Sequence, residues 1–140
     1  MPPDNLPALN GLRVLIVDDE ADARDLLATI LEQSGAQVTA AACATEAFDF
    51  LSQSRVDVLV SDIAMPIVDG YALIRQVREL EAERGEYIPA VALTAYARES
   101  DRTSALEAGF QVHLAKPYDP DELVSVVAKL AGCKPKSLSI

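Results

Sequence analysis

Asp18, Asp19, Asp62, Thr94 and Lys116 are the residues of this chain whose types and places could do chemistry together. Each stands where a short apolar run stops. Val14-Leu15-Ile16-Val17 runs into Asp18-Asp19, and Val56-Asp57-Val58-Leu59-Val60-Ser61 runs into Asp62. Ala90-Val91-Ala92-Leu93 ends on Thr94, and Val112-His113-Leu114-Ala115 ends on Lys116, followed by Pro117. If these runs are parallel strands of an open α/β sheet, their carboxyl ends meet at one edge, where such sheets bind ligands. Three carboxylates gathered there repel one another unless a cation neutralises them or some are protonated. Hard oxygen ligands that leave several waters in place suit Mg²⁺. A hydroxyl can donate to a phosphoryl oxygen, and an ammonium offsets its charge. The set reads as a site for a divalent cation and a phosphoryl group.

Each residue also has a plainer use. Acidic residues favour the positive end of a helix, so Asp18-Asp19 would serve as a cap, and Glu20 and Asp22 read as ordinary first-turn acids. Thr94 is a good strand former. Lys116 could end a strand in solvent, with Pro117 as its stop. X–Pro bonds are the ones that can be cis, and a cis bond would turn Lys116 back toward the acids. The argument for chemistry rests on the combination at four strand ends.

The elements that must position these residues alternate along the chain. The first strand is Arg13–Val17. A helix follows with Ala23, Leu26, Leu27, Ile30 and Leu31 at the spacing of one buried face, and Ser34-Gly35 closes it with a glycine suited to the left-handed cap. Gln37–Ala41 is a weaker strand, and Thr45–Leu51 a short helix with Ala47, Phe48 and Leu51 on one side. Asp57–Ser61 is nearly all apolar, as a strand covered on both faces should be. The segment Asp62–Gly70 holds the breakers Pro66 and Gly70 and reads as a loop. A helix over Tyr71–Glu83 carries an Arg- and Glu-rich outer face expected to be solvated and without function. A strand begins near Pro89, and a helix covers Glu99–Ala108 up to Gly109. The strand Gln111–Ala115 and the helix Asp121–Leu130, burying Leu123, Val126, Val127 and Leu130, complete five βα units. Strands alternating with helices imply a parallel sheet with right-handed crossovers.

The 140 residues fit one domain, and half of them are hydrophobic, enough for a core. Residues 1–10 and 132–140 read as tails around a domain over 11–131. The net charge of -10 and the scattered basic residues argue against direct binding of nucleic acid or anionic membrane. No apolar stretch approaches the roughly 18 residues that span a bilayer, and the start of the chain lacks the pattern of a secretion signal. Cys43 and Cys133 have no metal-ligand spacing and form no disulfide framework, which points to a reducing, cytoplasmic setting.

The ordered motifs resemble the receiver domain of two-component response regulators over about residues 12–131. They are Val17-Asp18-Asp19-Glu20, the segment Ser61–Gly70 with Asp62, Met65-Pro66 and Asp69-Gly70, Leu93-Thr94-Ala95, and Ala115-Lys116-Pro117. The resemblance implies a flavodoxin-like (βα)5 fold with strand order 2-1-3-4-5. It implies Asp62 as phosphoacceptor, with Mg²⁺ held by Asp19 and Asp62, by the Ala64 carbonyl, and by Asp18 through water. Lys116 would pair with a phosphoryl oxygen, and Thr94 would bind another when phosphorylation draws it inward. It also implies a sensor histidine kinase or histidine phosphotransfer protein as donor, and a downstream effector or attached domain as output. The surface of the fourth helix, fifth strand and fifth helix would change on phosphorylation, while the domain itself would not be an enzyme beyond assisting its own phosphorylation and dephosphorylation.

The sequence departs from the family at His113, where an aromatic ring that swings on activation is usual. There the histidine is either a half-exposed strand residue or a smaller switch ring titrating near 6.5. Tyr96, two residues after Thr94, stands where the family tunes phosphoryl lifetime. The wording around Thr94 and Lys116 looks more like receivers of hybrid histidine kinases than those of free DNA-binding regulators. Because His113 is the only histidine, the phosphodonor must be another chain or a small molecule. A flavodoxin-type FMN carrier would want a hydroxyl- and glycine-rich phosphate loop where this chain has Asp18-Asp19-Glu20-Ala21-Asp22. A phosphatase of the haloacid-dehalogenase type would want a second acid two residues after its nucleophile, where Ala64 stands. A scaffold receiver that only binds partners would have lost a site residue, and none is lost.

Overall fold

A computed structural model describes residues 9–63, 69–85, 87–94 and 99–132, with side chains in 99–102 left aside. Five strands and five helices alternate: β1 (Arg13–Val17), α1 (Ala21–Gln33), β2 (Gln37–Ala41), α2 (Ala44–Gln53), β3 (Val58–Asp62), α3 (Gly70–Arg84), β4 (Ala90–Thr94), α4 (Glu99–Ala108), β5 (Val112–Ala115) and α5 (Pro120–Gly132). The strands form one parallel sheet in the order β2-β1-β3-β4-β5, as the resemblance implied.

Strand alternation divides the core into two layers. Leu15, Val17, Leu59, Ala90 and Ala92 face α2, α3 and α4, with Leu51, Leu73 and Val77 among their partners. Val14, Ile16, Val58, Val60, Val91 and Leu93 face the other way, toward Leu27 and Leu31 of α1 and Leu123 and Val127 of α5. Both faces of β3 and β4 are therefore covered, which is why their sequences are apolar throughout.

Helix ends follow their local chemistry. Gly35 takes φ 98°, a region an L side chain rarely adopts, and its N–H donates to Glu32 at the end of α1. Asp69 caps α3 by accepting a hydrogen bond from the Ala72 N–H at 3.0 Å. Val126 and Leu130 are half-buried rather than buried, and pack on the edge of the α5 layer.

Three expectations are corrected. Leu26, placed by the α1 periodicity on the buried face, is 56% exposed, because Leu27 and Leu31 carry the contact with the sheet and Leu26 lies off to one side. Leu9, assigned to the tail, is fully buried in the α1–α5 layer, and its N–H donates to the Ser34 carbonyl at 2.8 Å. The outer face of α3 is not simply solvated. Half-buried Arg78 donates to the carbonyls of Gly109 (2.6 Å) and Ile88 (2.7 Å) and to Gln111 Oε1 (3.1 Å). Arg78 also pairs with Glu81, whose carboxylate accepts the Ile88 N–H. Gln111 Oε1 accepts the Ala90 N–H at 2.7 Å. The pair thus ties α3 to the beginnings of β4 and β5, satisfying main-chain groups that burial would otherwise penalise.

Candidate functional site

Register brings the strand ends level. Val17 lies beside Ser61, Asp62 beside Leu93, and Thr94 beside Ala115. Residues at these ends or within two steps beyond them therefore share one sheet edge: Asp18, Asp19, Asp62, Thr94 and Lys116. Ala64 and Tyr96 lie outside the described residues.

Carboxylate oxygens of Asp18, Asp19 and Asp62 all fall within 4.8 Å of one another. Asp18 is fully buried and Asp62 is 5% exposed, whereas Asp19 opens to solvent. The Lys116 ammonium sits 3.4 Å from Asp18 Oδ2 and 3.4 Å from Asp62 Oδ1, bridging the two buried acids. The Lys116–Pro117 peptide is cis, and the Lys116 N–H donates to the Thr94 carbonyl at 2.7 Å. Burial pulls the Lys116 pKa down, but the Asp62 and Asp18 charges outweigh it, leaving the ammonium above its ordinary 10.5. Lys116 is therefore a cation at neutral pH. Three carboxylates against one ammonium leave an excess of negative charge. With all-oxygen donors at this spacing, a divalent cation fits the site.

Thr94 is buried at the end of β4. His113 is half-buried on β5 beside Ala92, with Nε2 shielded from solvent.

Three features escape a reading of the sequence. Arg24 Nη1 donates to the Asp18 carbonyl at 2.9 Å. Gly70 approaches Asp62 so closely that a Cβ there would meet main-chain atoms. Tyr118 lines an apolar groove of about 400 Å³ between α1 and the segment after β5. Asp18 and Lys116 also line the groove, together with Ala23, Leu26, Ile30 and Pro117. Burial raises the Tyr118 pKa, and Asp18 adds to this while Lys116 opposes it. The exposed cysteine Cys43 is free.

Parallel order, level strand ends and an acidic pocket bridged by a lysine define a class of signalling domain. Residues 14–128 match the family model of the response regulator receiver domain, and the chain belongs to that family. It is 51% identical over 122 residues to an uncharacterized 14.6 kDa protein in the sodA1 3′ region of Leptolyngbya boryana, covering 87% of this chain and 92% of that one. It is 41% identical over 120 residues to the response regulator Rre1 of a Synechocystis species, covering 85% of this chain but 51% of the regulator, about half its length. Among solved structures it resembles the receiver domain of the sensor histidine kinase PA1611 from Pseudomonas aeruginosa, which holds a magnesium ion in its active-site cleft. That likeness has TM-score 0.79 and 32% identity, over 87% of this chain and 98% of the other. Among the described residues, no helix is long and apolar enough to cross a membrane.

Proposed function

We propose that this receiver domain accepts a phosphoryl group on Asp62 from a histidine of a sensor kinase or phosphotransfer protein in the cytoplasm. The observation that carries the reading is the Lys116 ammonium set between buried Asp18 and Asp62, with Asp19 completing an acidic pocket. An Asp62 oxygen attacks phosphorus in line, the N–P bond breaks, and the imidazole leaves with the bond's electrons. Lys116 offsets charge on an equatorial phosphoryl oxygen, and the Thr94 hydroxyl donates to another, so positioning and electrostatics supply most of the effect. Asp19 and Asp62, with the Ala64 carbonyl and with Asp18 through water, would hold Mg²⁺, which when bound would supply further charge compensation. Water later hydrolyses the acylphosphate in the same pocket, so the domain assists its own chemistry and is no free-standing enzyme. Thr94, Tyr96 and His113 form the switch toward the α4–β5–α5 surface, which an effector or attached domain reads through its different contacts in the two states.

The test is a titration of beryllofluoride, a phosphoryl mimic, with Mg²⁺ into the chain, followed by backbone NMR. Mg²⁺-dependent shifts spreading from Asp62 to Thr94, Tyr96 and His113 are expected. A silent spectrum would leave a scaffold receiver acting through protein binding alone.

The groove beside Lys116 gives the donor protein a place to pack, since it is largely apolar and its lining includes Asp18 and Lys116 of the acidic pocket. Leu26→Glu should lower transfer from phosphorylated histidine phosphotransfer proteins about tenfold, as losing one apolar anchor does. Labelling by phosphoramidate should stay at the wild-type rate. Equal losses with both donors would place the defect in the acceptor pocket and remove the groove from the account.

A further inference from the structure

We propose that Arg24 is a positioning residue for the acidic pair: by holding the Asp18 carbonyl, its guanidinium sets how Asp18 and Asp19 present carboxylates to a divalent cation. This rests on the cation-dependent acceptor reading above. Asp18 is held at four points. Its N–H donates to the Ala41 carbonyl at 3.2 Å, its Oδ1 accepts the Glu20 N–H at 2.9 Å, and its Oδ2 meets Lys116 at 3.4 Å. The fourth point is its carbonyl, which accepts from Arg24 Nη1 at 2.9 Å. The carbonyl belongs to the rigid plane that joins Asp18 to Asp19, so its direction fixes where the Asp19 Cα and side chain begin. The first three contacts orient Asp18, whereas the Arg24 contact passes that orientation on to the exposed Asp19.

The location of Arg24 supports a purpose beyond charge balance. Its N–H makes the 2.9 Å bond to the Glu20 carbonyl that opens α1, so it sits near the end of the helix that disfavours a cation. Half-buried, it reaches back across that end to a single carbonyl.

The two ways Arg24 could affect the pocket have opposite signs. As a charge alone, a guanidinium beside the pocket repels a divalent cation, and removing it should tighten binding. As a positioning group, its removal should weaken binding. The experiment titrates Mg²⁺ into the full chain and into Arg24→Met, Arg24→Lys and Arg24→Gln. It follows the Asp18, Asp19 and Asp62 amide shifts and calorimetric heat, with thermal unfolding in EDTA as a check on the fold. The expected result is roughly tenfold weaker Mg²⁺ binding in Arg24→Met, the scale typical when a group orienting a metal ligand is lost. Arg24→Lys, which keeps one donor and the charge, should fall between. Should Arg24→Met fail to fold, Arg24→Gln is judged by the same criterion. Binding as tight as wild type, or tighter, in the neutral variant would overturn the proposal while leaving the acceptor reading intact. A wild-type chain that takes up no Mg²⁺ would overturn the cation site and this role with it.

Discussion

Asp62→Asn is expected to abolish phosphoryl labelling while leaving the fold intact. The amide keeps the shape of the side chain at the end of β3, so packing is conserved, but it offers no anionic oxygen to attack phosphorus. Neither remaining acid should take over. Asp18 is fully buried with its oxygens engaged by the Glu20 N–H and Lys116, and Asp19 is exposed to solvent. Intact-mass spectrometry after phosphoramidate treatment should show an adduct on the wild type and none on the variant. A labelled variant would move the acceptor to another residue.

The same substitution should show a crossed pattern in stability. Carboxylate pairs within 4.8 Å repel by roughly 1–3 kcal/mol between the dielectric of water and that of a protein surface. Asp62 faces two such carboxylates among the described residues and lies 3.4 Å from the Lys116 ammonium. On the balance of these three contacts, removing its charge relieves more repulsion than it forfeits in attraction, so in EDTA the Asn variant should unfold at the wild-type temperature or above it. In excess Mg²⁺ the wild type should gain more, because ligand binding to the folded state stabilises in proportion to affinity. Parallel thermal scans would reveal this. A variant that melts well below wild type in EDTA would mean that the lysine bridge dominates the pocket.

The second large effect belongs to a residue without a functional group. A Cβ at position 70 would lie 2.7 Å from the Asp62 carbonyl oxygen and 2.8 Å from the Ile63 Cα. Both neighbours are main chain, so the conflict moves either the start of α3 or the end of β3. The Gly70 N–H also donates to the Ile63 carbonyl at 3.0 Å, which holds the two segments together. Gly70→Ala should cost about 1–3 kcal/mol, a fall of several degrees in Tm at this size. It should also slow phosphorylation roughly 10- to 100-fold, since a displacement near 1 Å at a reacting group has effects of that order. Gly132→Ala is the control, because nothing lies within 4 Å of its Cβ position. Rates and melting temperatures equal to wild type in Gly70→Ala would show that α3 can yield without disturbing Asp62.

What could be read without coordinates was decided by local chemistry. Apolar runs that end in acids, a hydroxyl and a lysine gave the strands, their order along the chain and the pocket, because each group has a plainer use alone but their combination at four strand ends has few. The helices came from periodicity and breakers; α4 has the expected limits, and those of α2, α3 and α5 differ by a residue or two. Periodicity could not say which leucine of α1 meets the sheet, since Leu26 and Leu27 both lie near the stripe and tertiary packing chose Leu27. It was also silent on Arg78, whose carbonyl partner Gly109 is 31 residues away. The Arg24 contact with Asp18 likewise depends on how the chain turns between β1 and α1. The closeness of Gly70 to Asp62 is a distance, which a motif carries only implicitly.

The ties made by Arg78, Glu81 and Gln111 lie at the starts of β4 and β5, whereas Thr94 and Lys116 stand at their finishes. One end of this strand pair is thus moored to α3, while the charged end is held by the Lys116 contacts with Asp18, Asp62 and the Thr94 carbonyl. Under the proposed phosphoryl transfer, strands held in this way would respond to a pull at Thr94 as levers on a fulcrum. Displacement would be smallest near Ile88 and Gln111 and would grow toward the edge that holds Asp62. The stiffness of that fulcrum, set far from the acidic pocket, would govern how much of a local charge event becomes motion.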